Sequence, residues 1–173
     1  MDSSTYKIRK TFLIPLGLAV ILSFILLASA LFLQLPIAKT IILIAFLLPI
    51  CVIFAESSLR KVRMTVDTIE VNKLFRSKRL SYAELTAVDT IQVRKRVFVS
   101  LSSENDFIIL SNSYDHFGEL LKQLVTGAPE TVVSDETRQL AEHPPKKCND
   151  IFSAWLAVAV LTLIIFVQLR GAF

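Results

Sequence analysis

The sequence predicts an α+β membrane protein: an N-terminal two-helix transmembrane hairpin, an antiparallel β domain closed by a helix, and a third, C-terminal transmembrane helix. Three observations predict it. The chain of 173 residues is 53% hydrophobic and carries three long apolar runs, more than one soluble domain of that length needs for its core. Between the second and third runs the hydrophobic period shortens to two, the mark of half-buried strands. That alternation then gives way to a helical period over residues 117–125, the mark of a helix packed on one face.

Residues 1–10 form a polar N-terminus with Lys7, Arg9 and Lys10. Residues 11–35 carry no charge and exceed the ~20 residues that cross a bilayer as a helix. The basic start and Ala28-Ser29-Ala30 imitate a signal peptide. The run is longer than an h-region of about 7 to 15 residues, however, and stays apolar through Leu31, Phe32 and Leu33, so it is read as a span. Gln34, Pro36 and Lys39 mark a tight turn, and residues 37–55 form the second span, which gives a hairpin over residues 11–56. Pro15, Gly17 and Pro49 lie inside these spans, where neighbouring helices re-satisfy freed backbone groups, and a kink is expected at Pro49. Ala19, Ser23 and Ala30 near one face of the first run, with Ser153 and Ala157 in the third, predict close helix approach.

Residues 57–127 are the expected water-soluble domain. Val62, Met64 and Val66 alternate with Arg63, Thr65 and Asp67 as a half-buried strand requires. Ile69 and Val71 follow a turn at Asp67-Thr68, and Leu80 and Tyr82 follow a basic turn. Residues 88–93, 97–101 and 107–110 complete the set, bounded by charged or Ser/Asn-rich turns, and strands this short and regular predict a sandwich or barrel. Phe117, Leu120, Leu121, Leu124 and Val125 then share one helix face. Ser113 is the expected N-cap and Gly127 the stop.

Residues 128–150 read as a polar linker. Ser134 and the acidic pair Asp135 and Glu136 could open a short helix there, with too few apolar positions to require packing. Residues 151–173 hold the third span and a short tail, entered through Lys146 and Lys147 and left through Arg170, with Trp155 as an interfacial anchor. Lys7, Arg9 and Lys10 precede the first span and Arg60, Lys61 and Arg63 follow the second, while the turn between has only Lys39. The N-terminus and the β domain are therefore expected in the cytoplasm, with the C-terminus outside an inner (cell) membrane.

The strand-turn-strand MTVDTIEV, the basic hairpin LFRSKRLSYAEL and the closing helix YDHFGELLKQL resemble the bacterial pleckstrin-homology domain of small membrane proteins, and more loosely the domain of YcxB-like proteins. The resemblance implies a PH-like barrel capped by its C-terminal helix, and it carries no catalytic signature. Bacterial relatives commonly have two spans, so the third span here departs from their layout.

His116 and His143 have no second ligand at metal-binding spacing. Cys51 lies in the second span and Cys148 beside the third, so no disulfide is expected. Cys148 is placed like a lipidated cysteine, and an ordinary juxtamembrane thiol is the plainer expectation. The sequence has no phosphate-cradling glycine loop, GxSxG elbow or HExxH, and no acid, Arg or His inside a span. Neither enzyme nor transporter, cofactor nor metal is therefore expected, and neither nucleic acid nor a small-molecule substrate.

Charge placement remains. Lys73, Arg76, Lys78 and Arg79 crowd the turn between the predicted second and third strands, and Arg94, Lys95 and Arg96 form a later turn. Alternate hairpins point the same way, which would bring both clusters to the end that carries Arg60, Lys61 and Arg63. Basic residues close to an anionic leaflet gain about 1 kcal/mol each; charged turns that merely keep strand edges soluble are the plain alternative. The expected function is a non-enzymatic interaction module, an accessory or regulatory subunit of a membrane assembly, with membrane lipids and a protein as partners. The alternative is an inner-leaflet protein that binds or senses anionic lipid.

Overall fold

The computed structural model describes residues 3–93, 96–144 and 150–170. The chain divides into two units. One comprises Met1–Arg9 with Leu59–Cys148, the other Lys10–Ser58 with Asn149–Phe173.

The second unit is helical: α1 (Lys10–Phe32), α2 (Ile37–Leu59) and α5 (Asp150–Arg170). By length and composition all three could cross a membrane. α1 packs along α5 through a buried face of Ala19, Ser23, Leu26 and Ala30, and Gln168 Nε2 donates to Ser29 Oγ at 3.0 Å. The small residues expected on α1 are therefore at a helix contact. On α5, Ser153 and Ala157 are exposed and Val158 is buried. Gly17 lets α2 approach: a Cβ there would lie 3.1 Å from the Phe54 ring. α1 ends on Gln34 in the left-handed region, φ 49°, where Leu35 N–H closes on Ala30 O at 3.0 Å.

The first unit is α+β and larger than residues 57–127. Its first sheet has the order β1 (Ser4–Lys7), β2 (Lys61–Met64), β3 (Thr68–Asn72), β4 (Ser77–Ser81), all antiparallel. Its second has the order β5 (Leu85–Val93), β6 (Arg96–Ser103), β7 (Phe107–Ser111). The N-terminus expected as a plain tail thus supplies an edge strand, and the α1–α2 hairpin is an insertion between β1 and its partner β2. Val66 leaves the alternation: β2 stops at Met64, the Thr65–Thr68 turn begins, and Val66 is exposed.

Val62, Met64, Ile69 and Val71 of the first sheet and Val97, Val99, Leu101 and Leu110 of the second are buried. α3 (Phe117–Gly127) adds Phe117, Leu120, Leu121 and Leu124 to this core. Its N-cap is His116, with φ 50° and no side-chain cap bond, rather than Ser113. Ser113 is spent earlier, where its carbonyl accepts from Arg9 N–H at 3.2 Å; the chain has first to bridge Tyr114 to Ile8 before it can turn into the helix. α3 ends at Gly127 as expected. Added there, a Cβ would meet the Tyr82 ring at 3.1 Å.

Residues 128–144 are folded onto this unit and do not behave as a linker. Val133 bridges Val88, and Ser134 N–H donates to Val88 O at 3.0 Å, which covers the free edge of β5. α4 (Asp135–Glu142) starts on Ser134, whose hydroxyl accepts from Thr137 N–H. It packs against α3 and β5 and buries Thr137 and Ala141.

Candidate functional site

Ladder register decides where the basic residues lie. Lys7 pairs with Lys61, Lys61 with Asn72, and Asn72 with Ser77, so one end of the first sheet carries Lys7, Lys61 and the β3–β4 turn. That turn is Lys73–Arg76, closed by Lys73 N–H donating to Arg76 O at 2.8 Å. The same end is where the chain leaves: Lys10 begins α1 and Leu59 ends α2. Arg9 and Arg60 flank Tyr114 here. The Arg9 Nε–H donates to the Tyr114 carbonyl at 3.2 Å, and the Arg60 guanidinium sits 5.8 Å from its ring centroid. Lys7 and Lys61 are like charges directly opposite, which is unfavourable without an anion. Neither they nor Arg76 form an ion pair among the described residues.

The expected first cluster separates into two. Lys73 and Arg76 are exposed in the turn, while Lys78 and Arg79 lie inside β4. Lys78 is spent on the second sheet: its ammonium binds the Asp106 carboxylate, donates to Phe107 O at 3.1 Å, and lies 4.8 Å from the Phe107 ring centroid. The Asp106 carboxyl is held below its usual range, first by the Lys78 hydrogen bond and then by the Phe107 N–H. Arg79 stands opposite Glu70, which stands opposite Arg63, a row of alternating sign within the sheet. A cleft of about 180 Å³ runs between Val71, Lys73, Arg76 and Lys78 on one side and residues 107–109 on the other.

In the second cluster Arg96 is exposed and opens β6 opposite Val93; Arg94 and Lys95 lie outside the described residues. Asn112 N–H donates to Val97 O at 3.0 Å, and Arg9 N–H to Ser113 O at 3.2 Å. The Ser111–Tyr114 segment thereby ties the Arg96 end of the second sheet to the basic end of the first. Among the expected anchors, Lys7, Arg9, Arg60 and Lys61 gather at this end. Arg63 sits further along β2, Lys10 is the first residue of α1, and Lys146 and Lys147 lie outside the described residues.

A second surface was missed by sequence reasoning. Ile91 of β5 and Phe107 and Ile109 of β7 are exposed, Ile91 by 57% and Phe107 by 56%, and Phe98 of β6 is half-buried. Ile91 stands opposite Phe98, and Ile109 opposite Ser100, so these four share the outward face of the second sheet. The signal was present. Residues 97–99 and 107–110 are unbroken apolar runs, and such runs give a strand two apolar faces.

Among the described residues no three His, Cys, Asp or Glu side chains converge as a metal site would require. His116 is an exposed residue beside Asp115 and Glu119. No family model, curated protein or solved structure matches this chain.

Proposed function

We propose that the chain is a non-enzymatic integral membrane protein that presents a PH-like domain at the cytoplasmic face as an interaction module, an accessory subunit of a membrane assembly. Four strands, then three, then a closing helix support the PH-like reading, with the transmembrane hairpin inserted after the first strand. The observation that carries the function is the apolar outward face of Ile91, Phe98, Phe107 and Ile109. An exposed apolar patch on a soluble domain is the usual signature of a protein contact. With a photo-crosslinking residue at Phe107 or Ile109, the full chain in its native membrane should give one discrete adduct, abolished by Ile91→Asp. The same residue placed at Glu130, in the short 3-10 turn that precedes α4, should give none. Equal, diffuse labelling from all three positions would remove the partner reading.

Binding of anionic lipid is the second reading, favoured by the register that gathers Lys7, Lys61, Lys73 and Arg76 at the end where the chain departs for α1 and α2. The two readings meet at the cleft that Lys73 and Arg76 line on one side and Phe107 and Ile109 on the other.

A further inference from the structure

The turn that joins β3 to β4 breaks the usual chemistry of a two-residue hairpin loop. Such loops favour Asn-Gly or Gly-containing pairs, because the primed turns that match strand twist need positive φ. Here the central pair is Leu74-Phe75, and neither residue has positive φ. Phe75 is 86% exposed and Leu74 half-buried, so neither the core nor the turn geometry accounts for an aromatic ring at the tip.

Its position does. Asn72, the last paired residue before the turn, stands opposite Lys61, and Lys61 opposite Lys7. The base of the turn at Asn72 therefore lies about 10 Å, two strand spacings, from Lys7, the last residue of β1. The tip is flanked by Lys73 and Arg76, both exposed. A ring between two cations, beside the entry to two bilayer-length helices, matches the pattern of interfacial segments that bury an apolar side chain about 5 to 10 Å into the headgroup boundary while cations hold the phosphates.

We propose that Phe75 is a membrane-inserting residue, a wedge that enters the anionic leaflet in which this chain's own helices are anchored, with Lys73 and Arg76 on lipid phosphates at either side. The proposal rests on α1 and α2 being spans, and the experiment separates the two. Trp155 is the single tryptophan, so Trp155→Phe provides a silent background for Phe75→Trp in the full chain, reconstituted into vesicles with acidic lipid. Its emission should be blue-shifted, lost when the lipid is brominated high on the acyl chains, and shielded from iodide. Val66→Trp in the same background, in the exposed β2–β3 turn at the other end of the first sheet, should remain quenchable by iodide and indifferent to bromine. Emission from Phe75→Trp that is water-like, or blue-shifted yet indifferent to bromine because protein covers the tip, overturns the wedge while the spans stand. Protein that fails to float with the vesicles after an alkaline wash overturns both.

Discussion

α3 and α4 both pack onto the β-sheet unit, yet they are held there by opposite means. α3 buries Phe117, Leu120, Leu121 and Leu124, a stripe whose attachment comes from apolar area removed from water. α4 buries one threonine and one alanine. Its centre is Thr137, wholly inaccessible, whose hydroxyl lies 2.9 Å from Thr90 Oγ1 and 2.8 Å from Ser134 Oγ, and donates to Val88 O at 3.3 Å. A stripe of large apolar side chains is sufficient to attach a helix but not necessary. A buried hydroxyl attaches one too, provided its partners are met.

The pair of substitutions with the largest expected effect tests that contrast. Leu121→Ala opens a cavity in the core and should cost about 2–5 kcal/mol of stability. Thr137→Val keeps the volume but removes the hydroxyl that joins Thr90, Ser134 and Val88, so about 1–3 kcal/mol should be lost. The distribution differs as well as the size. Hydrogen exchange on the full chain should rise throughout the first unit for Leu121→Ala, but chiefly over α4 and the β5 edge for Thr137→Val. Loss of protection confined to α4 in both variants would mean that α3 is not part of the common core.

This contrast also explains what was legible in the sequence. The three long helices were visible as unbroken apolar runs, and the alternation of β2 to β7 and the stripe of α3 because burial there is carried by Val, Ile, Leu and Phe at regular period. β1 was hidden: its four residues are STYK, only Tyr6 has much apolar surface, and its partner β2 lies beyond the whole α1–α2 hairpin. The short helix α4 was foreseen from its Ser134 cap, but its packing was hidden because a buried threonine counts as polar. The basic end was half legible. Charge clusters and hairpin alternation pointed to it, but only the ladder separates Lys73 and Arg76, which are exposed, from Lys78, which is tied to Asp106. The outward apolar face was missed although two unbroken apolar runs spelled it out.

A smaller effect comes from the ring beneath the C-terminal end of α3. The Tyr82 hydroxyl is buried without a hydrogen-bond partner among the described residues, and its pKa is pushed up to about 12, mainly by desolvation and then by Tyr6. The unfolded chain releases this proton near pH 10, the ordinary value, while the folded chain holds it to about 12. Stability from this group is thus complete below pH 10 and falls as pH rises from 10 to 12, by about 1.4 kcal/mol per unit at the steepest. Tyr82→Phe should leave neutral-pH stability unchanged or slightly improved, since an unsatisfied hydroxyl is removed, and should flatten the alkaline decline. An unaltered alkaline slope in that variant would assign the decline to other groups.

The smallest effect is at the other end of the helix, and its sign is the informative part. His116 opens α3 with φ 50°, a conformation that costs an ordinary L-residue roughly 1–2 kcal/mol and glycine almost nothing. Its side chain gives little in return: the ring is exposed, 3.5 Å from Glu119 and 3.9 Å from Asp115, contacts worth a fraction of a kcal/mol at the surface. His116→Gly relieves the backbone but frees the unfolded chain, which subtracts roughly 0.5–1 kcal/mol. The net expectation is a stabilisation of up to about 1 kcal/mol, a rise of a few degrees in the melting temperature of the unit. His116→Val, branched at Cβ, should move the midpoint the other way. A glycine variant that melts lower than the parent would show that the imidazole itself holds the turn between Tyr114 and α3, and that α3 depends on a polar contact at its start much as α4 depends on Thr137.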